Sequence, residues 1–389
     1  MLRLPTLASL LLLAVPQVVF SSPCVVFDAS FNLITFGLNG KDWNAGTQGS
    51  WTSGSAQDIT ASGRPPFDGS NTTCYMAQFF NTIYILNGDA ANPSDVHIYD
   101  AGAKSWSTQT TTTGGFSPAS FDAILDHDTN VFYAVSNGEM YFLDMSTLKA
   151  ATSSPLPWTD VGKTPYDPTY QPVMALAQNH IHFLDVPGTP TGDAQIFVIH
   201  FSFFQPTPQA YPIAGGGTFP AQHGQATSFF QTSDVQQEFA FLPDDGSATY
   251  VINVETNTTQ SLAGPTSKDP KAIYAASITA LVQLDSTGAV SFLPYTEGDA
   301  SANANAAWTK VAAIAAAAPP SSSSSPTSSG ANSTAVASGH PSSTGSGSAK
   351  PTGSTSQSNT TSSAVGTSNT GTGAMVVLCG LFSVFACLL

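Results

Sequence analysis

From Cys24 onward the chain repeats one pattern: apolar runs of four to eight residues, separated by Gly, Asn, Asp and Pro. The stretch from Cys74 to Trp106 shows the unit most plainly. Tyr75 to Phe80 is apolar enough for a buried strand. Thr82 to Leu86 is β-branched and aromatic, and Asn87-Gly88 supplies a residue tolerant of positive φ for a turn. Val96 to Tyr99 forms a third strand and Ser105 to Thr108 a weaker fourth. Such a series predicts an antiparallel meander. One such sheet cannot cover both of its faces, so stacked copies are needed.

The pattern recurs with a period of roughly 50 residues, within the range for propeller repeats. First strands are predicted near Cys24, Cys74, Ser120, Pro172, Gln225 and Ala272. Second strands follow at Asn32, Thr82, Asn130, His180, Glu238 and Ala280. Third strands begin at Val96, Glu139, Ala194, Ala248 and Ala289. The first unit is the irregular one, because Lys41 to Phe67 is rich in Gly and Ser and offers Trp43 and Trp51 as its only large anchors. The predicted fold class is all-β, a β-propeller of six blades over residues 22–318. A seventh blade needs a terminal strand to complete it, and the competing architectures are a β-sandwich or two small β domains.

Composition and the two ends add a location. Only 9% of the 389 residues are charged, and 32 are Gly and 27 Pro, which suits an all-β body. The formal net charge of -15 argues against a nucleic-acid partner, because phosphate binding needs clustered Lys and Arg. Residues 1–21 have the form of a secretory signal, with Arg3 before the apolar run LASLLLLAV and small residues near Ser21. Residues 374–389 are apolar and run to the last residue. Small residues at Ser362 and a polar spacer precede them, which is the pattern of a GPI-anchor signal. Ser362 is the predicted attachment residue, with Gly366 and Asn369 as alternatives. Residues 319–373 are nearly all Ser, Thr, Gly, Ala, Pro and Asn, and are predicted to form a disordered, O-glycosylated stalk. The expected location is therefore the cell surface, reached by the secretory pathway, with the membrane as partner through a lipid anchor. The sequence sets no oligomeric state.

Cys379 and Cys387 lie in the tail that anchoring would remove. Cys24 and Cys74 remain, one repeat apart, and are predicted to pair and join the first two blades. Sequons for N-glycosylation stand at Asn71, Asn257, Asn332 and Asn359.

With these residues in view, the chain resembles kelch-type propellers, including the propeller of secreted fungal galactose-oxidase-like proteins. The resemblance rests on Ile83 to Gly88 and on Tyr99-Asp100 followed by Trp106. It implies a propeller, with Tyr99 and Trp106 as the paired aromatics of a blade. Half of the family's double glycine is missing, since Asn87-Gly88 and Asn137-Gly138 stand in its place. The signal, stalk and tail also look like those of fungal cell-surface proteins. Galactose-oxidase-like enzymes hold copper through Tyr and His, with one Tyr crosslinked to a Cys. Cys74 and Tyr75 are neighbours on a strand and point to opposite faces, so no such site is assigned.

The remaining chemistry is sparse. His180 and His182, at i and i+2 on a strand, share a face and are the best candidate metal pair, with Asp185 or His200 as a conceivable third ligand. The alternative is packing between blades. Asp126-His127-Asp128 and Asp244-Asp245-Gly246 are acidic pairs where turns are expected, and turn chemistry accounts for them. Trp43, Trp51, Tyr166, Tyr170 and Tyr211 stand in Gly- and Pro-rich context, suited either to sugar stacking or to the propeller core. No catalytic motif and no cofactor are read from the chain. The function expected is a non-catalytic propeller that presents loops to a glycan, a cell-wall component or a protein. The alternatives are a propeller-type oxidase or hydrolase using a metal, and a purely structural wall glycoprotein.

Overall fold

The computed structural model describes residues 21–232 and 235–320. Most of the signal segment, most of the stalk, the C-terminal tail, and Asn332, Asn359, Ser362, Gly366 and Asn369 lie outside the described residues. So do Cys379 and Cys387.

The described residues form a six-bladed β-propeller. The inner strands are Cys24–Phe27, Thr73–Ala77, Asp122–Asp126, Met174–Ala177, Gly224–Ser228 and Ile273–Ala276. Each opens a sheet of four or five strands that continues outward in chain order, antiparallel throughout. These inner strands start within two residues of the predicted positions. Among the described residues there is no seventh blade.

The second strands explain why the sequence shows unbroken apolar runs there. Leu33–Leu38, Thr82–Leu86, Glu238–Pro243 and Ala280–Leu284 are buried at every position. A blade is covered on both faces by its neighbours, so its middle strands lose the alternation of a half-exposed sheet. Five apolar clusters fill the interfaces between blades. The two-residue hairpins turn on Asn-Gly at two places and on Gln178-Asn179 at a third. Asn39-Gly40 and Asn137-Gly138 take positive φ at both positions, as two-residue hairpins require.

Tyr99 and Trp106 face each other across the third and fourth strands of blade two, with ring centroids 4.9 Å apart. Phe36 of blade one packs edge-on against both rings. Cys24 and Cys74 form the disulfide, joining the inner strands of blades one and two at a Cα separation of 6.0 Å.

Ring closure uses no shared strand, because every blade is one consecutive segment. Instead the helix Ala312–Ala317, just after blade six, docks on blade one. The Ala313 N–H donates to the Trp51 carbonyl at 3.0 Å, and Val311, Ala313 and Ile314 join the core cluster of blade one. Trp51 closes the same seam by meeting Phe292 of blade six edge-on at 5.0 Å. No helix among the described residues is long and apolar enough to cross a membrane.

Candidate functional site

Six inner strands leave a channel along the propeller axis. Its wall and one mouth enclose a cavity of about 1250 Å3. The mouth is built from the segments that lead into the inner strands, among them Asp68–Asn71, Pro118–Phe121 and Pro168–Pro172, and from the turns after second strands at Asn137-Gly138 and Asp285-Ser286.

The other end is closed by one connection. Residues 229–237 join the inner and second strands of blade five, with Ser233 and Asp234 outside the description. Phe230 reaches Phe31 of blade one and His127 of blade three. The Gln231 carbonyl accepts from Gln78 Nε2 of blade two at 2.7 Å, and Gln231 Nε2 donates to Glu297 Oε1 of blade six at 3.0 Å. The Gln178 N–H of blade four donates to the Gln236 carbonyl at 2.8 Å. A single connection thus touches all five other blades, and the channel becomes a well with a floor.

The wall mixes polar and apolar side chains and is sparsely charged. Thr73, Tyr75, Gln225, Thr227 and Tyr274 line it. Asp122 stands among them, and Asp68 and Asp285 lie at the mouth. Asp122 opens the inner strand of blade three, and its two oxygens accept from the N–H groups of Ala123 at 2.9 Å and Met174 at 3.2 Å. Its side chain is half-buried and lines the well. Burial, which disfavours the charged form, pushes it up to about 7, against the pull of those two donors and of His223. Burial likewise raises Tyr75, with Asp122 adding to the effect, and pushes Tyr274 up to about 12.

At the rim, His223 Nδ1 donates to Asp244 Oδ2 at 3.0 Å, which fixes the ring's tautomer and orientation. Asp122 and the hydrogen-bonded His223–Asp244 pair stand at the same mouth. Asp122 was not singled out from the sequence, because a polar residue at a strand's first position reads as turn chemistry. The usable signal is the repeat itself: Asp122, Gln225 and Thr227 are polar positions in strands whose equivalents are otherwise largely apolar.

The residues singled out from the sequence fall elsewhere. His180 donates through Nδ1 to the Gln178 carbonyl at 2.5 Å. His182 is buried between blades four and five, against Tyr211 and Phe239, and burial drives its imidazole down to about 3. Among the described residues no group of three or more His, Cys, Asp or Glu is placed to hold a metal ion. Asp126 caps its own turn, accepting from the Asp128 N–H and the Thr129 hydroxyl, and Asp245 does the same for Ser247. His127 is a floor residue. Asp244 alone of these reaches the site. Of the aromatics, Trp51 and Tyr211 are core, Tyr166 packs on Tyr170 and Phe183, and Trp43 lies against Lys41. Tyr170 lines the well but donates its hydroxyl to the Leu184 carbonyl.

No family model and no curated protein matches the chain. Solved structures of similar shape include a nidogen/laminin complex, at 8% identity and a TM-score of 0.39, covering 61% of this chain and 77% of the other. A fungal alcohol oxidase of the AA5 family, in complex with copper, is 10% identical with a TM-score of 0.41, over 75% of this chain and 62% of the other. PorZ, a surface component of the type-IX secretion system of Porphyromonas gingivalis, is 11% identical with a TM-score of 0.40, over 75% of this chain but 33% of its own length. At these scores the likenesses assign neither ligand nor chemistry to this chain.

Proposed function

We propose that the protein is a cell-surface binding propeller that receives a hydroxyl-rich, glycan-type ligand in the axial well. The observation that carries this reading is the well itself. It is closed at one end and walled by hydroxyl, amide and phenol groups among apolar side chains, with Asp122 at the mouth end of its wall. Such a surface exchanges hydrogen bonds with a polyol, while the tyrosine rings offer apolar faces to a sugar. The reading takes the well to lie outside the cell, supported by the signal-like N-terminal segment, the Ser/Thr-rich stretch and the GPI-type tail of the sequence. The kelch-like and fungal-surface resemblance is consistent with the same reading. The test is binding of the purified full chain to an array of neutral and acidic glycans. Binding that weakens on Asp122→Asn supports the reading, and absence of binding across the array at high protein concentration rejects it.

A second reading is acid–base catalysis on such a ligand. It is favoured by Asp122 poised near neutrality, together with an imidazole oriented by a carboxylate at the same mouth. Release of reducing ends from a bound glycan, abolished by Asp122→Asn, distinguishes it from simple binding.

A further inference from the structure

We propose that an N-linked glycan on Asn71 stands over the mouth of the well and sets the size of what can enter. The inference rests on passage through the secretory pathway, the setting of the reading above, but not on any ligand.

Asn71, Thr72 and Thr73 form the acceptor triplet. Asn71 is exposed, and it lines the mouth of the cavity. Two residues further on, Thr73 already belongs to the channel wall. Glycan transfer joins the Asn71 side-chain amide nitrogen to the first sugar of a lipid-diphosphate oligosaccharide. The N–glycosyl bond forms as the sugar–phosphate bond breaks; the lipid diphosphate leaves, and the amide proton passes to a base of the transferase.

The root of that glycan is held firmly. The Thr72 side chain is buried, and its hydroxyl donates to the Asn87 carbonyl at 2.9 Å. A Cβ on Gly69 would come within 1.7 Å of the same carbonyl oxygen, so the segment hugs the turn at Asn87 closely. Asp68 accepts from the Ala90 N–H at 2.8 Å, and Cys74 is tied to Cys24. A branched oligosaccharide on a fixed root sweeps one region, the space before the mouth, instead of being averaged over the surface. The well would then admit slender chain ends and exclude folded partners.

The second described sequon supplies the control. Asn257 is exposed at the turn between the third and fourth strands of blade five, which lies on the floor side. Its glycan cannot shade the mouth.

The experiment uses the secreted full chain carrying Thr227→Cys, a thiol placed in the well wall. Labelling rates are measured with N-ethylmaleimide and with a long poly(ethylene glycol) maleimide. The large reagent should react several-fold more slowly on the glycosylated chain, and the small one equally on both. Enzymatic deglycosylation or Asn71→Gln should abolish the difference, and Asn257→Gln should preserve it. If the added thiol disturbs the disulfide, the same comparison is made on native chain by carbethoxylation of His223 with a bulky dicarbonate and with diethyl pyrocarbonate, read by peptide mass. Equal rates with and without the Asn71 glycan overturn the inference, as does an unmodified Asn71 beside a glycosylated Asn257. A chain bare at every sequon overturns the secretory assignment as well.

Discussion

Phe230 and His127 meet at the closed end of the channel, from blades five and three, with ring centroids 5.8 Å apart. Phe79 of blade two stacks on the same imidazole at 5.4 Å. His127 is buried, with its Nε2 3.3 Å from Asp128 Oδ1 and no well-formed hydrogen bond at either ring nitrogen, and burial holds its imidazole below the ordinary value against the pull of Asp128 and Asp126. The floor therefore depends on an aromatic side chain reaching across to other blades. Phe230→Ala should cost about 1–3 kcal/mol in urea unfolding, below the range for a fully buried Phe because this ring is partly exposed. It should also let water reach His127, whose pKa should rise toward the ordinary value in NMR titration. An unmoved His127 pKa would show that Phe230 is not what seals the floor.

Asp122 and His182 should pull the stability curve in opposite directions. Asp122 is raised from 3.8 to about 7, so the folded chain keeps a proton that the unfolded chain has released. Its contribution is present below the unfolded value and lost as pH rises through 7. His182 is lowered from 6.5 to about 3, so its contribution is present above 6.5 and lost as pH falls toward 3. Each has a slope of at most about 1.4 kcal/mol per pH unit at room temperature, and the two offset each other between roughly pH 4 and 6.5. Asp122→Asn removes the first. The unfolding free energy of the variant minus that of the native chain should climb between pH 4 and 7 and then level off. A flat difference would exclude Asp122 as a group titrating near neutrality.

Asp42 is fully buried and bonded to Arg64 Nη2 at 2.8 Å and to the Gly37 N–H at 2.9 Å. Desolvation raises its carboxyl in spite of both partners. Arg64→Ala leaves a buried carboxylate without its cation and should cost about 3–5 kcal/mol, while adding Asp42→Asn to that variant should recover part of the loss. Chemical denaturation of both variants gives the comparison, and additive losses would show that the pair is not coupled.

The Cys24–Cys74 bridge closes a loop with a sequence separation of 50. Replacing both cysteines by serine should cost on the order of 4 kcal/mol if chain entropy dominates. Peptide mapping without reductant should recover the two half-cystines as one linked species, and free thiols at both positions would contradict the pairing.

Ile314 on the terminal helix is fully buried in the seam between blades six and one. Ile314→Ala should cost about 2–5 kcal/mol, more than an exposed position on the same helix, because it loosens the ring where no strand is shared. A loss below 1 kcal/mol, within the range of surface substitutions, would mean that the helix is not the clasp.

The blade count, the strand positions and the Cys24–Cys74 pairing were legible in the chain alone. Repeats have this property because each unit meets the same demand, two faces to bury against like neighbours, and so repeats the same local pattern. Tyr99 and Trp106 were legible for the same reason, being neighbours across one hairpin. His182 could be placed on a strand, but only the fold shows that its face is covered by Phe239 and Tyr211.

The well was not legible, because it is a property of the ring. Asp122, His223 and Asp244 come from three different strand ends, and nothing in local periodicity brings them to one mouth. The floor is likewise a long-range result: residues 229–237 read as an ordinary loop, yet the cross-blade partners of Phe230 and Gln231 lie 66 to 199 positions away. Local sequence determines which segments become strands, through side-chain periodicity and turn residues. Closure of six sheets about an axis decides which strand ends converge, which carboxyl loses its water, and which exposed asparagine stands at an entrance.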